Sequence, residues 1–143
     1  MPCKSNQSYK NKMKIIFGGN PKINRSAVEN KSLDILISPE RNSEEDFMHY
    51  RNSGLNQVLC KLAKKNNIAI GFNFNYVLNS EGILRSKILG RMIQNVKLCR
   101  KYKVKMIIIN LKENPYEVRA ISDLKSFGIC LGMHQKEISV RFL

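Results

Sequence analysis

The clearest pattern in the chain lies over residues 85–110, where a helical period gives way to an unbroken apolar run. At 100° per residue, Ile88, Leu89, Met92, Ile93, Val96 and Cys99 share one apolar face of a helix. Lys87, Arg91, Gln94, Lys97 and Lys101 fall on the opposite side. Met106, Ile107, Ile108 and Ile109 come next as a run apolar on both faces, which predicts a buried, parallel strand. A helix that delivers the chain back to such a strand is the crossover of an α/β protein.

The same reading extends along the chain. Residues 13–17 predict a first strand, ended by Gly18 and Gly19, and Asn24 is placed to cap a short helix through Asn30. Residues 33–38 give a second strand, stopped by Pro39. Leu55, Val58, Leu59 and Leu62 form a helical stripe that ends in Lys64-Lys65-Asn66-Asn67. Residues 68–74 give a third strand, in which Ala69 and Gly71 are small enough for close packing. Pro115, a helix through about Phe127 and a last short helix over 135–142 complete the pattern. Residues 1–12 are polar, basic and aperiodic, so a disordered tail is expected there, with 13–143 as a single domain. The order β-α-β-α-β-α-β-α, with connections too long for hairpins, predicts parallel strands joined by right-handed crossovers. Four such strands make half of a (β/α)8 barrel, with a flat four-stranded sheet as the alternative.

Charge changes the picture more than composition does. The 143 residues are 43% hydrophobic, ordinary for a globular chain, but the net charge is +14 and the pI about 9.9. Such an excess favours a polyanionic partner, nucleic acid first among them. A membrane surface is the rival. No apolar run approaches the roughly 18 residues of a membrane span, and no signal peptide is visible, so a cytoplasmic protein is expected. Between Glu81 and Glu113 there is no acidic residue, whereas Arg85, Lys87, Arg91, Lys97, Arg100, Lys101, Lys103, Lys105 and Lys112 all fall inside. This strip reads either as a solvated face or as a row of phosphate contacts. Arg85 stands at the helix N-terminus, the end of a βα unit where binding sites collect, and either presents its head to that face or snorkels to water.

Other chemistry is sparse. Cys3, Cys60, Cys99 and Cys130 are too far apart for a zinc motif or redox pair, and Cys60 and Cys99 read as small buried hydrophobes. His49 and His134 give no paired-histidine metal constellation. Glu44, Glu45 and Asp46 are adjacent in sequence, do not converge on one ion, and read as a solvated helix start. Gly18-Gly19 meets neither dinucleotide nor nucleoside-triphosphate loop spacing.

Several blocks carry a family resemblance in order: INRSAVENKSLDILISPE, YRNSGLNQVLCKLAKKNNIAIGFNF, RSKILGRMIQNVKLCRKYKV with the strand after it, and PYEVRAISDLKSFGICLGM. Together they resemble archaeal ribonuclease P protein component 3, over roughly residues 13–134. The resemblance implies a partial barrel related to phosphoesterase barrels, though the clustered His and Asp that hold metals in those enzymes are missing from this sequence. It also implies strands upstream of the matched region, so a shortened form of the family is expected. After the fourth strand the family usually reads S-G-A, where this chain has Asn110-Leu111-Lys112.

What the resemblance implies for function is an RNA-binding, non-catalytic subunit of the enzyme that removes 5′ leaders from precursor tRNA. The RNA would carry the chemistry with Mg²⁺, and the protein would bind no cofactor of its own. Implied partners are the RNase P RNA, precursor tRNA, component 2 and other RNase P protein subunits, with a homo-oligomer or heterotetramer possible in the assembly. Candidate RNA contacts are Arg51, Arg85, Lys87, Arg91, Lys97, Arg100, Lys101, Lys103 and Arg119. The competing readings are a divergent barrel metallohydrolase acting on a phosphorylated small molecule, and a scaffold subunit that binds no RNA.

Overall fold

The four apolar runs become strands, ending at or just before the first polar or turn-forming residue: Gly18, Ser38, Asn73 and Asn110. The structure is a computed structural model and describes residues 12–143; the expected N-terminal tail lies, apart from Lys12, outside the described residues. Five strands, β1 (Ile15–Phe17), β2 (Ile35–Ile37), β3 (Ala69–Asn73), β4 (Met106–Asn110) and β5 (Val140–Phe142), form one parallel sheet in sequential order. Five helices intervene: α1 (Pro21–Glu29), α2 (Gln57–Lys65), α3 (Phe74–Leu78), α4 (Gly82–Lys101) and α5 (Ile121–Cys130).

Alternation along the strands sends the two faces of the sheet to different places. Leu36, Ile70, Phe72, Met106 and Ile108 point into a layer built with Val28, Cys60, Ile88, Met92, Val96 and Leu124 from the helices. Ile35, Ile37, Ala69, Ile107 and Ile109 form a second cluster, with Met13, Ile15, Leu111 and Leu143 against it and no helix residue in it. Helices on one face and sequential parallel strands are the wall of a barrel; a doubly wound sheet would carry helices on both faces. Gly71 permits the inner packing, since a Cβ there would lie 3.0 Å from Ile37 Cγ1 and 3.1 Å from Ile109 Cγ1.

The structure departs from the sequence-based expectation at several places. A fifth strand forms at Val140–Phe142, after a 3₁₀ turn at Gln135–Glu137, where a short helix was expected. The C-terminal residues take that form because β4 offers a free edge, and Val140 pairs with Ile108. The cap of α1 is Asn20, followed by Pro21, and not Asn24. Asn24 is buried inside the helix and ties three loops together: its Oδ1 accepts from Gly19 N, and its Nδ2 donates to Pro39 O and Gly54 O. Pro115–Glu117 is a 3₁₀ turn separate from α5. Cys60 and Cys99, far apart in sequence, are both free and buried, and their thiols meet between α2 and α4. Cys130 is free and exposed.

Candidate nucleic-acid interface

The acidic stretch Glu44-Glu45-Asp46 is not helical; it lies in the long connection between β2 and α2. What holds that connection is Arg91, which the helical wheel places on the outer side of α4 but which is only 2% exposed. Its Nε donates to Asp46 Oδ1 at 2.8 Å, Nη1 to Glu40 O at 3.2 Å and Asn42 O at 3.1 Å, and Nη2 to Glu44 O at 2.6 Å. Every arm of the guanidinium is thus used inside the protein, and none is left for a phosphate. Burial alone would raise the Asp46 pKa, but the Asn52 backbone N–H, the Arg91 bond and the charges of Arg91 and Lys87 hold it below its ordinary value.

The neighbouring candidates at this end of the sheet are also engaged. Arg85 is exposed, but its head group turns back onto the chain. Its Nε donates to Val77 O and Ser80 O and its Nη2 to Leu78 O, closing the carbonyl end of α3. Lys87 pairs with Glu45 at 3.1 Å, and Arg51 with Asp46 at 3.4 Å while lying over Gly90. Arg119 donates to Tyr116 O and Val118 O. Beside it, Asn110 and Asn75 form a buried network that joins Leu111, Glu117 and the Arg119 backbone, so the Asn110-Leu111-Lys112 loop is internally tied.

The SGLN part of the second block is structural in each residue. Ser53 accepts from Gln94 and Asn95, Gly54 has φ +78°, Leu55 is buried, and Asn56 caps α2 through Leu59 N. Below it sits Glu40, 1% exposed, with neither carboxylate oxygen hydrogen-bonded within the described residues. Burial pushes its pKa up to about 7, against its backbone hydrogen bond and the nearby Arg91 charge. In the unfolded chain this carboxyl releases its proton near 4.5. Between those values the unfolded state holds fewer protons, so stability falls as pH rises through that window and then levels off. The expected loss is roughly 3 kcal/mol. Urea unfolding at pH 5 and pH 8 checks it: Glu40→Gln is expected to gain stability over the parent at pH 8 and much less at pH 5.

The other end of the sheet differs in charge. The loops that enter the strands (12–14, 30–34, 64–68, 100–105 and 134–139) carry ten Lys or Arg against two acids, Asp34 and Glu137. The loops that leave the strands (17–22, 38–56, 78–85 and 111–123) carry six against eight. Sequence candidates Arg100, Lys101 and Lys103 lie at the strand-entry end, and Lys97 is exposed one turn earlier on α4. Arg100 grips Glu137 bidentately, at 3.0 and 2.9 Å, and its Nη2 also donates to Gly132 O. That grip is the chief reason the Glu137 pKa is drawn down to about 2. Between α2, α4 and the 134–139 turn lies a basin of about 440 Å³, lined by Lys64, Arg100, Lys103, Lys105 and Lys136 among others. The sequence offers Lys105 only as one member of the basic strip and gives no sign of Lys64 or Lys136; all three stand within a few residues of the start of a strand.

Among the described residues, no group of three or more His, Cys, Asp or Glu side chains could hold a metal ion, and no helix is long and apolar enough to cross a membrane.

Comparison with known proteins supplies the relatives. The model of a family described as RNase P subunit p30 matches residues 3–139. Ribonuclease P protein component 3 of Methanocaldococcus jannaschii is 37% identical over 123 residues, covering 85% of this chain and 50% of that protein. The protein of the same name from Methanosarcina mazei is 33% identical, over 86% of this chain and 48% of its own length. This chain therefore spans about half the length of the curated relatives it matches. A chain of a cryo-EM structure of archaeal ribonuclease P with mature tRNA superposes with a TM-score of 0.71 at 36% identity, over 83% of this chain and 48% of that one.

Proposed function

This chain belongs to the RNase P subunit p30 family, and on that premise we propose that it is an RNA-binding protein subunit of ribonuclease P. In this role it supports an RNA that removes 5′ leaders from precursor tRNA with Mg²⁺, while the protein itself is non-catalytic and binds no cofactor. The observation that carries the proposal is the likeness, in sequence and in fold, to a chain from archaeal ribonuclease P with mature tRNA. The charge agrees with it: lysine and arginine neutralise phosphates and release counterions without reading bases, which suits double-stranded RNA read by shape and backbone. A cytoplasmic location fits the same role.

The protein partner proposed is component 2, alongside other RNase P subunits. Among the described residues, β1 and β5 each pair on one side only, and such edges invite a neighbour. Exposed apolar side chains, among them Met48, Tyr50, Ile83, Tyr116 and Ile121, sit in or just after the loops that leave the strands. Tight association with component 2, or self-association that extends the sheet, is expected. Analytical ultracentrifugation checks this, and a monodisperse monomer at micromolar concentration, indifferent to component 2, would count against it.

Reconstitution tests the function. Adding this chain to RNase P RNA, component 2 and the other protein subunits is expected to raise precursor-tRNA cleavage, with no cleavage by the chain alone. Turnover that follows the isolated chain through purification would overturn the non-catalytic role.

A further inference from the structure

The net positive charge of the described residues is gathered at one end of the sheet, and it is not the end where barrel proteins usually bind their ligands. We infer that the strand-entry end is the face on which duplex RNA docks, with a backbone phosphate seated in the basin between Lys64, Lys103, Lys105 and Lys136. This rests on the RNA-binding role proposed above and assigns it a surface.

Three observations carry it. The four lysines line one basin, and none of them forms an ion pair within 4 Å among the described residues. The one acid that lines the basin, Glu137, is taken by Arg100, so the basin keeps its positive charge while Arg100 pins the turn that carries Lys136. Lysines in a last helical turn are ordinarily explained by the helix dipole. That covers Lys64, which stands in the last turn of α2, but not Lys103 or Lys105, which stand beyond the end of α4, and a single 3₁₀ turn such as the one that carries Lys136 has little dipole of its own.

The second observation is backbone conformation. The turns that lead into β3 and β4 are built alike: Asn67 N donates to Lys64 O and Ile68 N to Ala63 O, as Lys103 N does to Arg100 O and Val104 N to Cys99 O. Each turn needs one left-handed residue, Asn67 at φ +55° and Lys103 at φ +57°. Asparagine suits that conformation, and lysine takes it at a cost of about 1 kcal/mol. A lysine placed where the matching turn has asparagine gives up stability to put an ammonium over the basin.

The third observation separates RNA from a lipid surface. None of the exposed large apolar side chains falls in the strand-entry loops. A membrane-bound basic face also inserts apolar side chains, whereas a phosphate backbone needs only cations.

The test measures binding of a blunt RNA duplex to the whole 143-residue chain across a salt series. Replacing Lys64, Lys105 and Lys136 with Gln is expected to weaken binding about tenfold or more and to lower the salt slope by about 2. Replacing Lys22, Arg41 and Lys112 with Gln at the other end is expected to change affinity less than about twofold, by the same rule. Lys103→Asn is expected to bind RNA more weakly while unfolding at equal or higher urea, a pairing that a merely structural role for Lys103 would not give. Equal losses from the two triple replacements, or unchanged binding in the first, would overturn the assigned face while leaving the RNA-binding role standing. A parent chain that binds no RNA, or that binds anionic lipid vesicles instead, would overturn both.

Discussion

Arg91→Met is expected to destabilise the protein by about 3–5 kcal/mol, the range for removing one member of a buried, hydrogen-bonded charged network. The guanidinium reaches Asp46 and the carbonyls of Glu40, Asn42 and Glu44, all in the β2–α2 connection, from the middle of α4. Without it these carbonyls lose their donors, and the connection comes loose from the helix it lies on. Arg91→Lys keeps the charge but offers one ammonium to acceptors spread around a planar fork, so it should recover less than half of the loss. Urea denaturation checks both. Because a domain is stable by about 5–15 kcal/mol in total, the Met variant should be visibly less soluble as well. A Met variant as stable as the parent would mean that Arg91 only fills space.

Gly54→Ala carries the second large effect. At φ +78° the alanine would pay for the left-handed conformation, about 1 kcal/mol. Its Cβ would also be built 1.9 Å from Pro39 O. That oxygen accepts from Asn24, so relieving the clash pulls apart the junction of the β1–α1 and β2–α2 loops. The total should exceed about 3 kcal/mol, as expected where strain and a lost buried hydrogen bond combine. Gly82 is the control: its φ is +53°, but an added Cβ meets nothing within 4 Å. Gly82→Ala should therefore cost only about 1 kcal/mol. Thermal unfolding of the two variants side by side reads the difference, and equal costs would refute the clash.

Those two positions also show how far the sequence could be read. The central helix and β4 were legible because their periods are long and unmixed, and the Ala69/Gly71 packing because small residues in a strand have few other uses. Arg91 was not legible. The wheel puts it on the polar flank of the apolar stripe, beside Ile88, and the β2–α2 connection folds over that flank of α4 and turns it into an inner position. No local pattern announces where a long polar loop will lie. Asn24 failed for a related reason: a polar residue early in a helix reads as a cap, and only the meeting of three loops shows that it serves as a buried linker. β5 was missed because three residues are too few for a period, and pairing with the edge of β4 decides their form.

The basic residues divide on the same principle. Lys87 and Arg91 meet acids and carbonyls from a distant part of the chain, Arg51 and Arg85 meet them from a neighbouring loop, and the fold engages all four. Lys97, Lys101 and Lys103 lie towards an end where acids are scarce, and they stay exposed. A run of positive charge in the sequence therefore held two populations, distinguishable only once the loops were placed.

If this chain works bound to the RNA of ribonuclease P, that RNA should travel with it. The most direct test is to tag the chain in its native source, purify it at moderate salt and sequence the RNA that comes with it. RNase P RNA is expected to be the most enriched species, together with component 2 in the protein fraction. A preparation that carries component 2 but no RNA above background, or an RNA population no different from an untagged control, would contradict it.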